Sequence, residues 1–221
     1  MAEVYDCSDT TQLLSAMRAA RRAIGSGQLA VIPTDTVYGV AADAFTPEAV
    51  QRLLDAKGRT RQSPPPVLIP NVATLDALAA EVTTPLRTLA ETFWPGALTI
   101  VTRANAALSW DLGETGGTVA LRIPNHPLAL ELLQETGPLA VSSANATGEP
   151  AARTAEAAEA MLGESITVYL EYGEAPDHPS ASTIIDATGL TEEGGTLRIL
   201  RQGGVTREAL AEALPQVTIE D

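Results

Sequence analysis

The chain has 221 residues, 45% hydrophobic and 4% aromatic, so it can bury one sizeable core built mainly of Ala, Val, Leu and Ile. Its formal charge of −14 repels phosphate backbones at long range, so any anion site has to be a local cluster of cations. Cys7 is the sole cysteine, which excludes an internal disulfide and a cysteine-based zinc cluster, and no stretch reaches the roughly 18 apolar residues of a spanning helix.

The first residues carry no basic and apolar leader, so a cytoplasmic protein that makes no contact with membrane is expected. Ser8 and Asp9 can cap a helix whose Leu13, Leu14, Met17 and Ile24 share one face, with Gly25 and Gly27 as its stop. Residues 29–33 read as a buried strand, and 37–40 resume the apolar course after Pro33-Thr34-Asp35-Thr36. Thr46 is a candidate cap and Pro47 a first helical residue for a helix that runs to Lys57 and ends at Gly58. After the proline run 64–66 a strand is predicted over 67–69, a helix near 75–82 and another opened by Thr84-Pro85.

Strands follow over 97–102 and 118–123, then a helix over 127–136 that Gly137-Pro138 terminates, and a strand over 139–142. A helix near 154–162, strands near 168, 183–185 and 197–200, and a last helix capped by Thr206 complete the pattern. Residues 112–117, 191–195 and 173–182 are predicted as flexible loops. This interleaving predicts an α/β architecture, a mixed or parallel sheet covered by helices, in a single domain spanning 1–221.

Thirteen of the fourteen basic residues are arginine, and Lys57 is the only lysine. Codon bias would explain the arginines; a site that needs a compact ammonium would explain the surviving lysine. Four polar clusters sit where strands or helices end. Thr34, Asp35 and Thr36 could hold a small polar substrate, or simply close a turn after the strand. Lys57, Arg59 and Arg61 place three cations at a helix end, suited to a carboxylate or polyphosphate and equally to helix capping. Ser142, Ser143 and Asn145, followed by Thr147 and Gly148, could cradle phosphate or form a plain turn. Arg122, Ser182 and Arg201 are scattered, and each arginine alone reads as a surface or salt-bridge residue. None of the common nucleotide or zinc-protease signatures is present, and neither His126 nor His178 sits in a triad pattern.

Together and in this order the clusters resemble the YrdC family, the threonylcarbamoyl-AMP synthases. The similarity extends over about 10–207 and rests on P-T-D-T-V-Y-G, K-G-R, F-W-P-G, A-L-R-I-P, S-S-A-N, S-T-I-I-D and R-Q-G. It implies a twisted mixed sheet covered by helices with a large concave cleft, in which L-threonine, bicarbonate and ATP are joined into L-threonylcarbamoyl-adenylate for tRNA modification. It implies Thr34, Thr36, Arg122 and Ser182 as threonine contacts and Lys57, Arg59, Ser143, Asn145 and Arg201 on the bicarbonate and ATP side, with Lys57 and Arg59 catalytic. Mg2+ would accompany ATP with no protein ligand, and the product would pass to separate tRNA threonylcarbamoyl-transferase proteins.

The chain departs from the family pattern at Ser63-Pro64-Pro65, where a second lysine and a Pro-Leu pair are common, and at Leu68, where some members carry histidine. The loop over 60–66 is therefore left out of the expected site, as are both histidines. Two other readings are a carbamoyl-transfer module, which the single cysteine and short length oppose, and a double-stranded-RNA or ribosome-binding factor, with a weak RNA contact at a locally basic cleft.

Overall fold

Residues 2–176 and 181–220 are described by the computed structural model, so His178 and the end of the predicted 173–182 loop, apart from its last two residues, lie outside the described residues. The first elements are β1 (Glu3–Asp6), α1 (Thr10–Gly25), β2 (Ala30–Ile32), β3 (Gly39–Asp43), α2 (Pro47–Ala56), β4 (Val67–Leu68), α3 (Val72–Leu78), α4 (Thr84–Phe93) and β5 (Leu98–Arg103). They are followed by β6 (Thr118–Arg122), α5 (Pro127–Thr136), β7 (Leu139–Ser143), α6 (Ala155–Leu162), β8 (Val168–Glu171), β9 (Thr183–Thr191), β10 (Gly194–Arg201), α7 (Arg207–Ala213) and β11 (Thr218–Glu220).

The strands form one sheet in the order β1-β8-β2-β3-β7-β4-β6-β5-β9-β10-β11. Parallel pairs such as β4 with β6 stand beside antiparallel ones such as β3 with β7, which makes the sheet mixed. Successive side chains of a strand point to opposite faces. In β2, Ala30 and Ile32 pack with the apolar faces of α1 and α5, while Val31 packs with those of α2 and α6. A strand covered on both sides has no polar face, which is why 29–33 is an unbroken apolar run. A third cluster joins α3, α4 and α7 to β5 and β6 around Leu89, Leu98, Ile100 and Leu121, each contributing about 1.5–3 kcal/mol by leaving water.

Helix starts follow side-chain chemistry. The Asp9 carboxylate accepts from the Thr11 N–H, Thr154 Oγ1 from Ala157 and Thr206 Oγ1 from Ala209. Thr46 precedes α2 but does not cap it, because its hydroxyl donates to Asp43 (2.8 Å). The helix expected over 75–82 lies instead over Val72–Leu78: Asn71 Oδ1 accepts from the Thr74 N–H, and Ala79 leaves the helix to bridge Ala104. Residues 191–195 form a tight hairpin turn, not a loop, with Thr191 paired to Gly194, and both flanking strands run longer than predicted. Only glycine fits at Gly195, whose φ is 92° and where a Cβ would meet the Gly189 carbonyl oxygen at 2.3 Å. The edge strands β1 and β11 had no sequence signal, being short and largely exposed.

Candidate active site

The chain leaves β2 in a turn that the Thr34 hydroxyl holds. It donates to the Val37 carbonyl (2.6 Å) and accepts from the N–H groups of Thr36 and Val37 (both 3.2 Å). The turn presents Thr36 Oγ1, 3.1 Å from Thr34 Oγ1, to Arg122 Nη1 at 3.0 Å. Arg122 ends β6 and commits its guanidinium three ways: Nε donates to the Gly96 carbonyl (2.9 Å), Nη1 to Thr36 and Nη2 to Asp35 (2.7 Å). Asp35 Oδ1 also accepts from the Asn125 N–H (2.9 Å), so the same oxygen that braces Arg122 is itself held by the backbone. Burial pulls the Arg122 pKa down and Asp35 partly restores it; an arginine remains charged regardless.

At the end of α2, Gly58 adopts φ 63° and the Lys57 side chain turns inward until it is 2% exposed. Its ammonium donates to the Ser143 carbonyl, the Asn145 carbonyl (2.7 Å) and Asn145 Oδ1 (3.2 Å). In return the Lys57 carbonyl accepts from Thr147 N–H (3.2 Å) and Thr147 Oγ1 (2.6 Å). The Asn145 amide donates to the carbonyls of Ala146 (3.0 Å) and Glu149 (2.7 Å). Lys57 and Asn145 thus hold the loop over 143–149 in shape. Burial, and then the nearby Arg59 charge, bring the Lys57 pKa down from 10.5 to about 8. Arg59 points the other way and donates to Ser142 Oγ (3.0 Å).

A third group joins the ends of β9 and β10. Ser182 Oγ lies 2.8 Å from Thr99 Oγ1 and 3.2 Å from Arg201 Nη2. Arg201 also donates to the Ser182 carbonyl through Nε (3.2 Å) and Nη2 (2.8 Å).

Eight of the nine residues singled out by sequence line one cleft of about 410 Å³: Thr34, Thr36, Arg59, Arg122, Ser143, Asn145, Ser182 and Arg201. Lys57 stands behind its wall. Among the described residues, three arginines and no carboxylate line the cleft, which is the local cationic site that a chain of charge −14 requires for an anion. The groups do not gather at one edge of the sheet. β7 runs antiparallel to β4 and β6 parallel to it, so Ser143 and Arg122 leave their strands at opposite ends, and the cleft crosses the sheet over the two-residue β4. A larger concavity, about 590 Å³, beside α1 mixes Arg18, Arg21 and Arg22 with Asp43 and Glu135 and holds none of the converging hydroxyls.

Arg61 lies outside the cleft, paired with Asp111 on the surface (2.6 Å). His126 is also outside it, edge-on to Tyr172 with ring centroids 5.0 Å apart. Pro64, Pro66 and Leu68, from the stretch that departs from the family pattern, do line the cleft. Sequence reading missed Thr99, because one threonine in Leu98-Thr99-Ile100-Val101 is an ordinary strand former. Among the described residues no group of three or more His, Cys, Asp or Glu could hold a metal ion, and no helix is long and apolar enough to cross a membrane.

Comparison with known proteins gives the chain its relatives. The model of the Sua5/YciO/YrdC family, described as telomere recombination, matches residues 22–203. A Mycobacterium tuberculosis protein provisionally named a threonylcarbamoyl-AMP synthase is 47% identical over 214 residues, covering 97% of this chain and 96% of its own length. A doubly substituted form of Pyrococcus abyssi Sua5 superposes with a TM-score of 0.90 at 30% identity, over all of this chain and 62% of that one. P. abyssi Sua5 complexed with L-threonine superposes at 0.84 with 32% identity, over 92% and 58%. This chain therefore spans about six-tenths of the P. abyssi protein's length.

Proposed function

The chain belongs to the Sua5/YciO/YrdC family, and from that premise we infer its function: it is a threonylcarbamoyl-AMP synthase, a nucleotidyltransferase that uses ATP in tRNA modification. The observation that carries the reading is the convergence of Arg59, Arg122 and Arg201 with the hydroxyls of Thr34, Thr36 and Ser182 in one cleft.

The substrates are L-threonine, bicarbonate and ATP. The neutral threonine amine attacks bicarbonate carbon and water leaves, giving N-carboxy-threonine. A carbamate oxygen then attacks the ATP α-phosphorus, the bond to the bridging oxygen breaks, and pyrophosphate departs. Both steps gather negative charge, so fixed cations and positioned donors are what the protein has to supply. We assign threonine to Thr34, Thr36, Arg122 and Ser182. Arg122, already braced by Asp35 and Gly96, offers the amino-acid carboxylate a rigid cation. Arg59, Arg201 and Ser143 take the carbamate and phosphate side. Lys57 and Asn145 serve that side by shaping the loop over 143–149, which fixes Ser143 and Arg59's partner Ser142.

Mg2+ belongs to ATP as a substrate. Among the described residues the cleft lining offers it arginines and hydroxyls and no carboxylate, which favours phosphate oxygens and water as its ligands. The product is a reactive mixed anhydride, which calls for separate tRNA threonylcarbamoyl-transferase proteins as its consumers. We place the enzyme in the cytoplasm, as one domain.

The deciding experiment measures pyrophosphate release from ATP and Mg2+, with L-threonine and bicarbonate omitted in turn. Release that needs both supports the synthase. ATP turnover indifferent to threonine, or salt-dependent RNA binding with no turnover, would overturn it.

A further inference from the structure

We propose that Thr99 sets the polarity of the Ser182 hydroxyl, so that Ser182 meets the substrate as a hydrogen-bond donor and selects an oxygen, not the ammonium, of the amino acid. Thr99 is assigned no role by its motif. It sits in β5, 1% exposed, at the wall of the cleft and within hydrogen-bond reach of Ser182.

The argument is one of donor and acceptor counting. Arg201 carries only donors, so its 3.2 Å contact makes Ser182 Oγ an acceptor. The remaining choice is the direction of the 2.8 Å bond between Thr99 and Ser182. Ser182 Oγ is the only partner that the described residues give Thr99 Oγ1. Were Ser182 the donor, the Thr99 proton, on a residue 1% exposed, would have no acceptor among the described residues, at a cost of about 1–3 kcal/mol. Thr99 therefore donates. Ser182 Oγ then accepts twice, which fills both lone pairs and leaves its own proton unspent. That proton is free to point only into the cleft.

A hydroxyl so arranged cannot accept from an ammonium or amine. It can donate to a carboxylate, a carbamate oxygen or the substrate hydroxyl. The arrangement suits the chemistry, because the amine that attacks bicarbonate has to be neutral and should meet no acceptor that stabilises its protonated form. Thr99 touches no substrate and is a positioning residue acting through Ser182.

This inference rests on the assignment of Ser182 to threonine, and the test separates the two. Thr99→Val keeps shape and strand propensity; Thr99→Ser restores the hydroxyl; Ser182→Ala removes the hydroxyl that Thr99 orients. KM for L-threonine, KM for ATP and kcat are measured for each variant and for the Thr99→Val/Ser182→Ala pair. Thr99→Val should raise KM for threonine about fivefold, as loss of one oriented hydrogen bond does, with KM for ATP within about twofold. Thr99→Ser should return to wild type, and in the Ser182→Ala background Thr99→Val should add nothing. A normal threonine KM in Ser182→Ala would overturn the assignment of Ser182 itself. An impaired Ser182→Ala beside an unaffected Thr99→Val, or additive effects in the pair, would overturn the role of Thr99 alone.

Discussion

The Lys57 ammonium donates to both oxygens of Asn145, the backbone carbonyl at 2.7 Å and the side-chain amide at 3.2 Å, while the Lys57 carbonyl receives the Thr147 hydroxyl at 2.6 Å. Two motifs 88 residues apart are therefore one mechanical unit. The lysine's compactness matters here, because three acceptors surround a tetrahedral donor that a planar guanidinium would not match.

Removing the ammonium leaves those oxygens buried without a donor. Lys57→Ala should lower kcat by at least about tenfold and cost about 1–3 kcal/mol of stability, with Lys57→Met reproducing the kinetic loss at smaller cavity cost. Pyrophosphate release and chemical denaturation measure the two. Normal turnover in Lys57→Ala would sink the assignment.

The same amine titrates in an accessible range. Burial, and then Arg59, place its folded pKa near 8. A neutral amine cannot donate to three oxygens at once, so turnover should fall as pH rises through about 8, and a flat profile to pH 10 would contradict this. Stability moves the other way. Between about 8 and 10.5 the unfolded chain holds more protons on this lysine than the folded one, so its contribution to stability rises with pH across that window. The comparison is wild type against Lys57→Met, because Cys7, whose pKa burial raises from 9.0 to about 11, works in the opposite sense.

Chemistry-bearing residues were more legible in the sequence than their relations to one another. Thr36, Arg122 and Ser182 stood out in motifs, and the cleft unites them. What no linear pattern carries is direction: Lys57, the only lysine, is expected on the bicarbonate and ATP side, yet its side chain faces the protein's own carbonyls. Asp35, which could have held a substrate or closed a turn, is the brace of Arg122. Buried strands were legible because unbroken apolar runs have few other uses, whereas β1 and the 191–195 hairpin were not, since their residues are exposed and their form depends on a partner strand.

Asp35 offers the next test. Its carboxylate offsets the buried Arg122 charge, whose side chain is 8% exposed, and fixes the guanidinium through Nη2. Asp35→Ala leaves that charge uncompensated and should cost about 3–5 kcal/mol. Asp35→Asn retains an acceptor, so it should fold and show its defect as a raised KM for L-threonine. Equal stability of Asp35→Ala and wild type would show that Arg122 is braced by Gly96 and Thr36 alone.

The R-Q-G motif places a glycine where nothing larger fits. A Cβ on Gly203 would meet the Ala181 carbonyl oxygen, the Ser182 carbonyl carbon and the Thr183 nitrogen, each at 2.5 Å. All three are backbone atoms, so no side chain can swing aside. The same turn is stitched to β9 by Thr183 Oγ1, which accepts from the N–H of Gly203 (2.9 Å) and of Val205 (3.0 Å) and donates to the Val205 carbonyl (2.7 Å). Gly203→Ala must therefore push the turn off the 181–183 backbone, and with it Arg201, whose guanidinium is held by Ser182. Overpacking of this kind costs about 1–3 kcal/mol, and the displaced Arg201 should lower kcat/KM for both L-threonine and ATP. Gly25→Ala is the control, at the end of α1 with nothing within 4 Å of the added methyl, and should change stability by less than about 0.5 kcal/mol. If Gly203→Ala matched Gly25→Ala in melting temperature and activity, the close approach of this turn to Ser182 would have no part in shaping the cleft.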